Sequence, residues 1–267
     1  MSDLKAIRFD NLQVSVQRLA AQHGIDLDNV TETIEERGKR LAKEAYQSYL
    51  RRSNRDAWRM SVWSGHAAKR FTFADWDVTV QGDSQLAAEI GNQAYKLTQQ
   101  IFKQPMNVLL LGKGGVGKTS LALAMLYKLA EQFSVMFVST TELAGMLNNQ
   151  YSYADAKERI RKIEEAMKTV DVLILDDFGT EGGMKIINGS SENIQPVRKD
   201  MQELLFRVAD ERIDAERNCA KRTTIITTNN TQKQLEMMYN PKLISRLLPK
   251  AEEQRIKFNG MGDVRRV

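Results

Sequence analysis

Residues Leu109 to Ser120 read LLLGKGGVGKTS. An apolar run that breaks into glycines and then into a lysine and a hydroxyl residue is the pattern of a strand turning through a phosphate-binding loop into a helix. Gly114, Gly115 and Gly117 keep the backbone clear of side chains, so that successive N–H groups can point at phosphate oxygens, helped by the positive end of the following helix. Lys118 is placed to neutralise β and γ phosphates, and Thr119 to offer a hydroxyl to Mg²⁺. The expected nucleotide-binding residues are Gly112, Lys113, Gly114, Gly115, Val116, Gly117, Lys118, Thr119 and Ser120, with ATP and Mg²⁺ as cofactors. The same letters fit two patterns. One is G-x-x-x-x-G-K-T over Gly112 to Thr119; the other is K-G-G-V-G-K-T, in which Lys113 is a second functional lysine. The flanking sequence has to decide.

Outward from the loop, apolar runs alternate with amphipathic stretches: NVLLLG, SLALAMLYKLAEQF, SVMFVST, a helical stretch, VDVLILDDFG, another helix, and TTIITTNN. That order predicts an α/β fold, a parallel sheet flanked by helices on both faces. The run Val172 to Leu175 ends in Asp176 and Asp177, and carboxylates at the carboxyl end of a parallel strand lie where ligands bind. Asp176 is expected to hold Mg²⁺ through its water shell and Asp177 to polarise the attacking water. TTIITTNN puts Asn229 at the corresponding strand end, within reach of the γ phosphate or the water, with Asn230 as the second choice. Arg246 in PKLISRLL and Arg265 and Arg266 in GDVRRV come late in the domain, and guanidinium groups there can stabilise charge on a transferring phosphoryl group. The stretch GTEGGMKIINGSSENIQP, Gly179 to Pro196, reads as a long flexible loop.

The chain of 267 residues is 42% hydrophobic and carries a net charge of +5. Ten basic residues between Arg37 and Arg70 face only Glu44 and Asp56, a local excess of +8 that is larger than the net charge of the whole chain. Tyr46, Tyr49, Trp58 and Trp63 lie among those arginines. The mixture suits base stacking with phosphate neutralisation, and equally suits a helix that buries its aromatics and solvates its charges. Residues 1 to about 65 read as helical, with Leu12, Val16 and Leu19 at helical spacing. We place a domain boundary near Arg70, giving a small N-terminal helical domain over 1–70 and a nucleotide-binding domain over 71–267. The single cysteine, Cys219, and two histidines, His23 and His66, form no recognisable zinc cluster. Without a long apolar run or a signal-peptide core, the expected location is cytoplasmic, with no membrane partner.

The order of phosphate loop, LILDD, TTNN, SRL and a terminal arginine resembles an AAA+ ATPase of the DnaC/DnaI/IstB group, the helicase-loader branch. The likeness runs from about Phe71, where FTFADWDV is similar to the segment preceding the ATPase core in those proteins, to Arg265. It implies an AAA+ P-loop core in which Lys118, Asp177, Asn229, Arg246 and Arg265 are catalytic, Asn229 as sensor 1, Arg246 as the arginine finger and Arg265 as the sensor 2 arginine. Thr119 and Asp176 are the implied metal residues. The second Walker B acid is usually a glutamate, so Asp177 must act from closer or through an intervening water. ParA/MinD-type ATPases, owners of the second loop pattern, follow it with a D-x-x-P strand and lack the terminal arginines, so Lys113 reads as an exposed loop residue. Between Thr140 and Val170 the loader branch carries an extra helix. Ile160, Ile163, Met167 and Val170 give that stretch an apolar stripe, and Lys157, Arg159, Arg161 and Lys162 would face single-stranded DNA. The Gly179 to Pro196 segment is longer than in the short DnaC-like proteins, and the cysteine cluster that some bacterial loaders use for zinc is missing, which suits a bacteriophage replication protein. The implied function is ATP-controlled loading of a hexameric replicative DNA helicase onto single-stranded DNA by a homo-oligomer. The alternatives are an IstB-like transposition regulator and a ParA/MinD-like partition ATPase.

Overall fold

A computed structural model describes residues 18–23, 33–65, 68–151, 155–182, 184–187 and 191–265. Leu12, Val16, His66 and Arg266, singled out above, lie outside the described residues. Helix α1 spans Ile34–Arg59. Its start is a reciprocal cap: the Thr33 N–H donates to Glu36 Oε2 at 2.8 Å and the Glu36 N–H to Thr33 Oγ1 at 3.2 Å, an arrangement that satisfies donors left over at a helix start. The chain divides into two compact units, Met1–Tyr49 and Leu50–Val267, so the boundary expected near Arg70 falls within the second.

In that second unit the sequence from Leu50 to Trp63 belongs to the edge of the sheet. The Val62 N–H donates to Phe137 O and the Ser139 N–H to Val62 O, each at 2.8 Å. Trp63 stacks on Phe137 with ring centroids 4.3 Å apart, and Trp58 meets Trp63 edge-on at 5.1 Å. These two tryptophans use their faces inside the protein, while Tyr46 and Tyr49 of the first unit are 58% and 65% exposed.

Helix α2 (Ser84–Ile101) is capped by Asp83 and buries Ala87, Ile90, Ala94, Leu97 and Ile101. Then follow β1 (Asn107–Leu111), α3 (Lys118–Leu129), β2 (Val135–Ser139), α4 (Thr140–Asn148), α5 (Ala156–Thr169) and β3 (Val172–Asp176). The hairpin β4 (Met184–Ile187) and β5 (Ser191–Ile194) precedes α6 (Lys199–Glu211) and the short pair β6 (Ile213–Asp214) and β7 (Cys219–Ala220). The chain closes with β8 (Thr223–Thr228), α7 (Gln232–Met238), α8 (Pro241–Leu247) and β9 (Arg255–Lys257).

The main sheet has the order β2-β3-β8-β1-β9, and every pairing in it is parallel. Both faces are covered, which is why β1, β2 and β3 are near-continuous apolar runs instead of alternating. Leu173 and Leu175 enter one core with α5 and α6, while Val172 and Ile174 enter the other with α2 and α3, the period of two that a strand dictates. The stripe Ile160, Ile163, Met167 and Val170 is buried as expected. Because the strands are parallel, Leu111, Ser139, Asp176, Thr228 and Lys257 end at one edge. No helix among the described residues is long and apolar enough to cross a membrane.

The reading of Gly179 to Pro196 as a flexible loop is corrected. Met184 pairs with Ile194 and Ile187 with Ser191 in an antiparallel ladder.

Arg212 ties the opposite edge together. It is 2% exposed and donates to the carbonyls of Met167 and Val170 at 2.7 Å, to Asp171 O at 3.3 Å, to Thr223 O, and to Thr224 Oγ1 at 3.0 Å. Burial pushes the guanidinium down to about 9, so it stays charged at neutral pH. Arg212→Met is expected to leave those carbonyls without donors at the starts of β3 and β8, destabilising the domain by roughly 3–5 kcal/mol in urea unfolding. A loss below about 1 kcal/mol, the range of surface substitutions, would show that water replaces the guanidinium.

Candidate nucleotide site

The phosphate loop leaves β1 at the common carboxyl edge and enters α3 at Lys118. Gly115 and Gly117 have φ of 80° and 94°, the left-handed region in which a glycine avoids the steric cost of a Cβ. Val116 is 1% exposed and packs into the core, so only its backbone faces the site. Lys113 is exposed, in keeping with its reading as a loop residue.

Lys118 is 5% exposed. Its ammonium donates to Gly112 O at 2.9 Å, Lys113 O at 2.7 Å and Asn229 Oδ1 at 2.7 Å. Burial lowers its pKa, and the charges of Asp177 and Asp176 work against that shift. The Thr119 hydroxyl donates to Asp176 Oδ1 at 2.9 Å, and the Thr227 hydroxyl to the same oxygen at 2.6 Å. Burial raises the Asp176 pKa, the Thr227 bond opposes this, and neighbouring Asp177 adds to it. Asp177 has φ of 56°, a conformation that aspartate tolerates better than most side chains. Its N–H donates to Thr227 Oγ1 at 3.0 Å.

The C-terminal segment folds back onto the loop. The Val264 N–H donates to Gly115 O at 3.1 Å. Arg265 lies beside Gly114, where an added Cβ would come 2.9 Å from Nη2, and its Nε donates to Asp263 Oδ1 at 3.2 Å. The fold therefore gathers Lys118, Thr119, Asp176, Asp177, Asn229 and Arg265 at one edge of the sheet. Asn230 is buried behind them, its N–H donating to Thr228 Oγ1 at 3.1 Å.

Arg246 is elsewhere. Its carbonyl accepts from Asn107 Nδ2 at 2.8 Å, and Asn107 opens β1, whereas the phosphate loop follows the far end of that strand. The guanidinium donates to Asp210 Oδ1 at 2.7 Å and covers Phe206 at 4.7 Å from the ring centroid. On α5, Arg161 pairs with Glu158 at 2.8 Å, Lys162 approaches the same carboxylate at 3.7 Å, and Lys157 lies over the Tyr151 ring at 4.4 Å.

Sequence reading missed a second set of residues behind the acids. Glu181 accepts from the Tyr239 hydroxyl, from Thr140 Oγ1 at 2.9 Å and from the Gly179 N–H at 3.0 Å. Thr140 Oγ1 also lies 3.1 Å from Asp176 O, and Tyr239 stacks on Phe178 at 4.4 Å. Burial raises the Glu181 pKa against those donors. The cluster links the turn after β3 to the start of α4 and the end of α7. Thr227 carried one signal, a polar residue in a strand whose other faces are buried; Glu181 stood in the supposed loop and carried none.

A parallel sheet in this strand order, with a glycine loop after β1, two acids at the end of β3 and an asparagine after β8, defines an AAA+ P-loop nucleotide-binding fold. The IstB-like ATP binding protein family matches residues 3–261, and the chain belongs to that family. No curated protein matches it. Among solved structures it is similar to DnaI (20% identity over 73% of this chain and 91% of that one, TM-score 0.49). It is also similar to the DnaC helicase loader (19%, 63% and 89%, 0.45) and to AMPPCP-bound DnaA from Aquifex aeolicus (18%, 68% and 49%, 0.48). The chain spans about half the length of the replication initiator chains it matches.

Proposed function

We propose that the protein is an ATPase whose hydrolysis controls assembly on DNA, and that it loads a replicative helicase onto single-stranded DNA. The observation that carries the ATPase reading is the bridge from Lys118 to Asn229 at 2.7 Å, beside the contact of Thr119 with Asp176 at 2.9 Å. Phosphate cation, sensor and acid thus meet at one strand edge. Lys118 binds the phosphate chain, Asn229 orients the terminal group, and Asp177 holds the proton of the attacking water. Thr119 and Asp176 put two oxygens together, and no group of three or more acidic, His or Cys residues able to hold a metal exists among the described residues. That donor set fits Mg²⁺ arriving with a nucleotide better than a protein cage. When bound, the ion would neutralise charge on the β and γ phosphates. Arg265 stabilises charge from the same chain and Arg246 from a neighbouring one.

Support for the loader reading comes from the resemblance that begins at Phe71 and from the basic face of α5. Residues 1–70 would grip the helicase and residues 71–267 hydrolyse ATP. A second reading, an IstB-like transposition regulator, is favoured by the reach of the family match back to residue 3, through the segment where the two functions would differ. Affinity capture with the tagged full chain separates them: recovery of a replicative helicase supports loading, and recovery of a transposase replaces it. Lys157→Glu with Arg161→Glu is expected to weaken single-stranded DNA binding and to flatten log K against log salt by about 0.7 for each phosphate no longer neutralised. An unaltered slope moves the DNA site off α5, with the segment Arg37 to Arg70 next in line.

A further inference from the structure

We infer that a pocket at the amino edge of the sheet binds a small carboxylate carried on one aromatic ring, at a site separate from the nucleotide and independent of the ATP-binding reading above. The pocket lies at the starts of β3 and β8, beside the segment in which α2 runs out through Phe102 to Pro105. Its apolar walls are Ile101, Phe102, Pro105, Phe133 and Val172, and its volume is about 180 Å³. Pockets for drug-sized ligands run from roughly 300 Å³ upward, so this one has room for a single ring with one small substituent. Phe102 and Phe133 meet with ring centroids 5.7 Å apart. Neither is fully buried, which leaves ring surface for a third ring to pack against.

The polar side of the pocket is cationic. Lys103, Lys221 and Arg222 line it, with Asp171 the one acid among its lining residues. Lys221 is engaged by Glu211 at 3.2 Å, and Asp171 Oδ2 accepts from the Ser134 N–H at 2.9 Å and the Ser134 hydroxyl at 2.7 Å. Arg222 differs. Its backbone N–H donates to Arg212 O at 3.3 Å, but its Nη1 is buried without a hydrogen-bond partner among the described residues. A buried donor without an acceptor costs stability, and such groups are rare in native proteins.

The charge of Arg222 is also unmet. Burial lowers the pKa of neighbouring Arg212 most, the charge of Arg222 lowers it further, and Asp171 opposes both. Arg212 bonds only to carbonyl and hydroxyl oxygens, so two guanidinium groups share one nearby carboxylate. An anion seated on Arg222 would supply the missing acceptor and offset that repulsion together. A carboxylate suits the place better than a phosphate, because Asp171 would repel a dianion and the edge of a guanidinium takes the two oxygens of a carboxylate side by side. The ring would then lie along Phe102 and Phe133.

Fluorine NMR titration of the full chain with 4-fluorobenzoate, 4-fluorobenzamide and fluoroacetate tests this, since the second ligand lacks the charge and the third lacks the ring. 4-Fluorobenzoate is expected to bind with a Kd of about 1 mM or tighter, at least about tenfold more tightly than either of the others. In Arg222→Met its affinity should fall to that of 4-fluorobenzamide, itself nearly unchanged. The melting temperature of the ligand-free variant should hold or rise, since an unpaired donor and a charge facing Arg212 are both removed; a fall would mark an arginine kept for structure and overturns the proposal. Equal binding of 4-fluorobenzoate and 4-fluorobenzamide by the wild type, or binding of neither, overturns it, as does a variant that keeps the preference. Displacement of 4-fluorobenzoate by saturating ATP would put the ring in the nucleotide site and overturns it too. If Arg222→Met does not fold, the wild-type comparison and the ATP competition decide.

Discussion

Lys118→Ala is expected to weaken ATP binding by at least about a hundredfold, close to 2.7 kcal/mol, while the chain still folds. The ammonium is the central cation of the site, buried and bonded to Gly112 O, Lys113 O and Asn229 Oδ1. Removing it leaves Asp176 and Asp177 facing an incoming triphosphate without the charge that lies beside them both. Like charges would then oppose each other in a partly desolvated site. Leu121, Met125 and Leu129 keep α3 in the core, so the circular dichroism spectrum should be unchanged. A calorimetric titration that returns wild-type affinity would take the nucleotide away from this loop.

The second large effect is at Arg246. Arg246→Ala is expected to lower ATP turnover by roughly a thousandfold or more with nearly unchanged ATP affinity, because a guanidinium finger acts on transition-state charge. Its backbone sits at the amino end of β1, bonded to Asn107, on the opposite edge of the sheet from its own phosphate loop. The side chain can therefore complete a site only across a subunit boundary. Its pairing with Asp210 leaves it 30% exposed, and an ion pair of this kind contributes about 1 kcal/mol or less, so exchange for a partner's phosphate is inexpensive. Turnover per chain should rise with protein concentration, and the variant should abolish that rise. Mixing gives the sharper result. An Arg246→Ala chain keeps its phosphate loop and a Lys118→Ala chain keeps its finger, so two inactive proteins should restore partial activity at interfaces where both are intact. A mixture that stays inactive although light scattering shows co-assembly would make Arg246 structural.

Much of the core was legible in the sequence for a local reason. A strand covered on both faces must be apolar at every position, so NVLLL, VMFVS and VLILD declare themselves, and the phosphate loop is a backbone shape that its own glycines specify. The two acids and Asn229 followed because parallel strands end at one edge, and side chains at their ends meet there whatever the loops between them do. The family resemblance added Arg265, which does reach the loop beside Gly114.

What the letters did not reveal depends on segments far apart in the chain. Trp58 and Trp63 read equally as base-stacking or core residues until Phe137 lay against one of them. Arg212, inside the charged stretch ADERIDAERN, looks like a solvated arginine; only the meeting of the ends of α5, β3 and β8 surrounds it with carbonyls. Glu181 needed Tyr239 and Thr140 beside it before it had a role. Hydrophobic period and loop glycines are set within a few residues, so sequence alone determined β1, β2, β3 and β8, the helices between them and the phosphate loop. A buried polar group is specified by the donors and acceptors that packing brings to it, and for Arg212, Glu181 and the placement of Arg246 that was decided only by the tertiary structure.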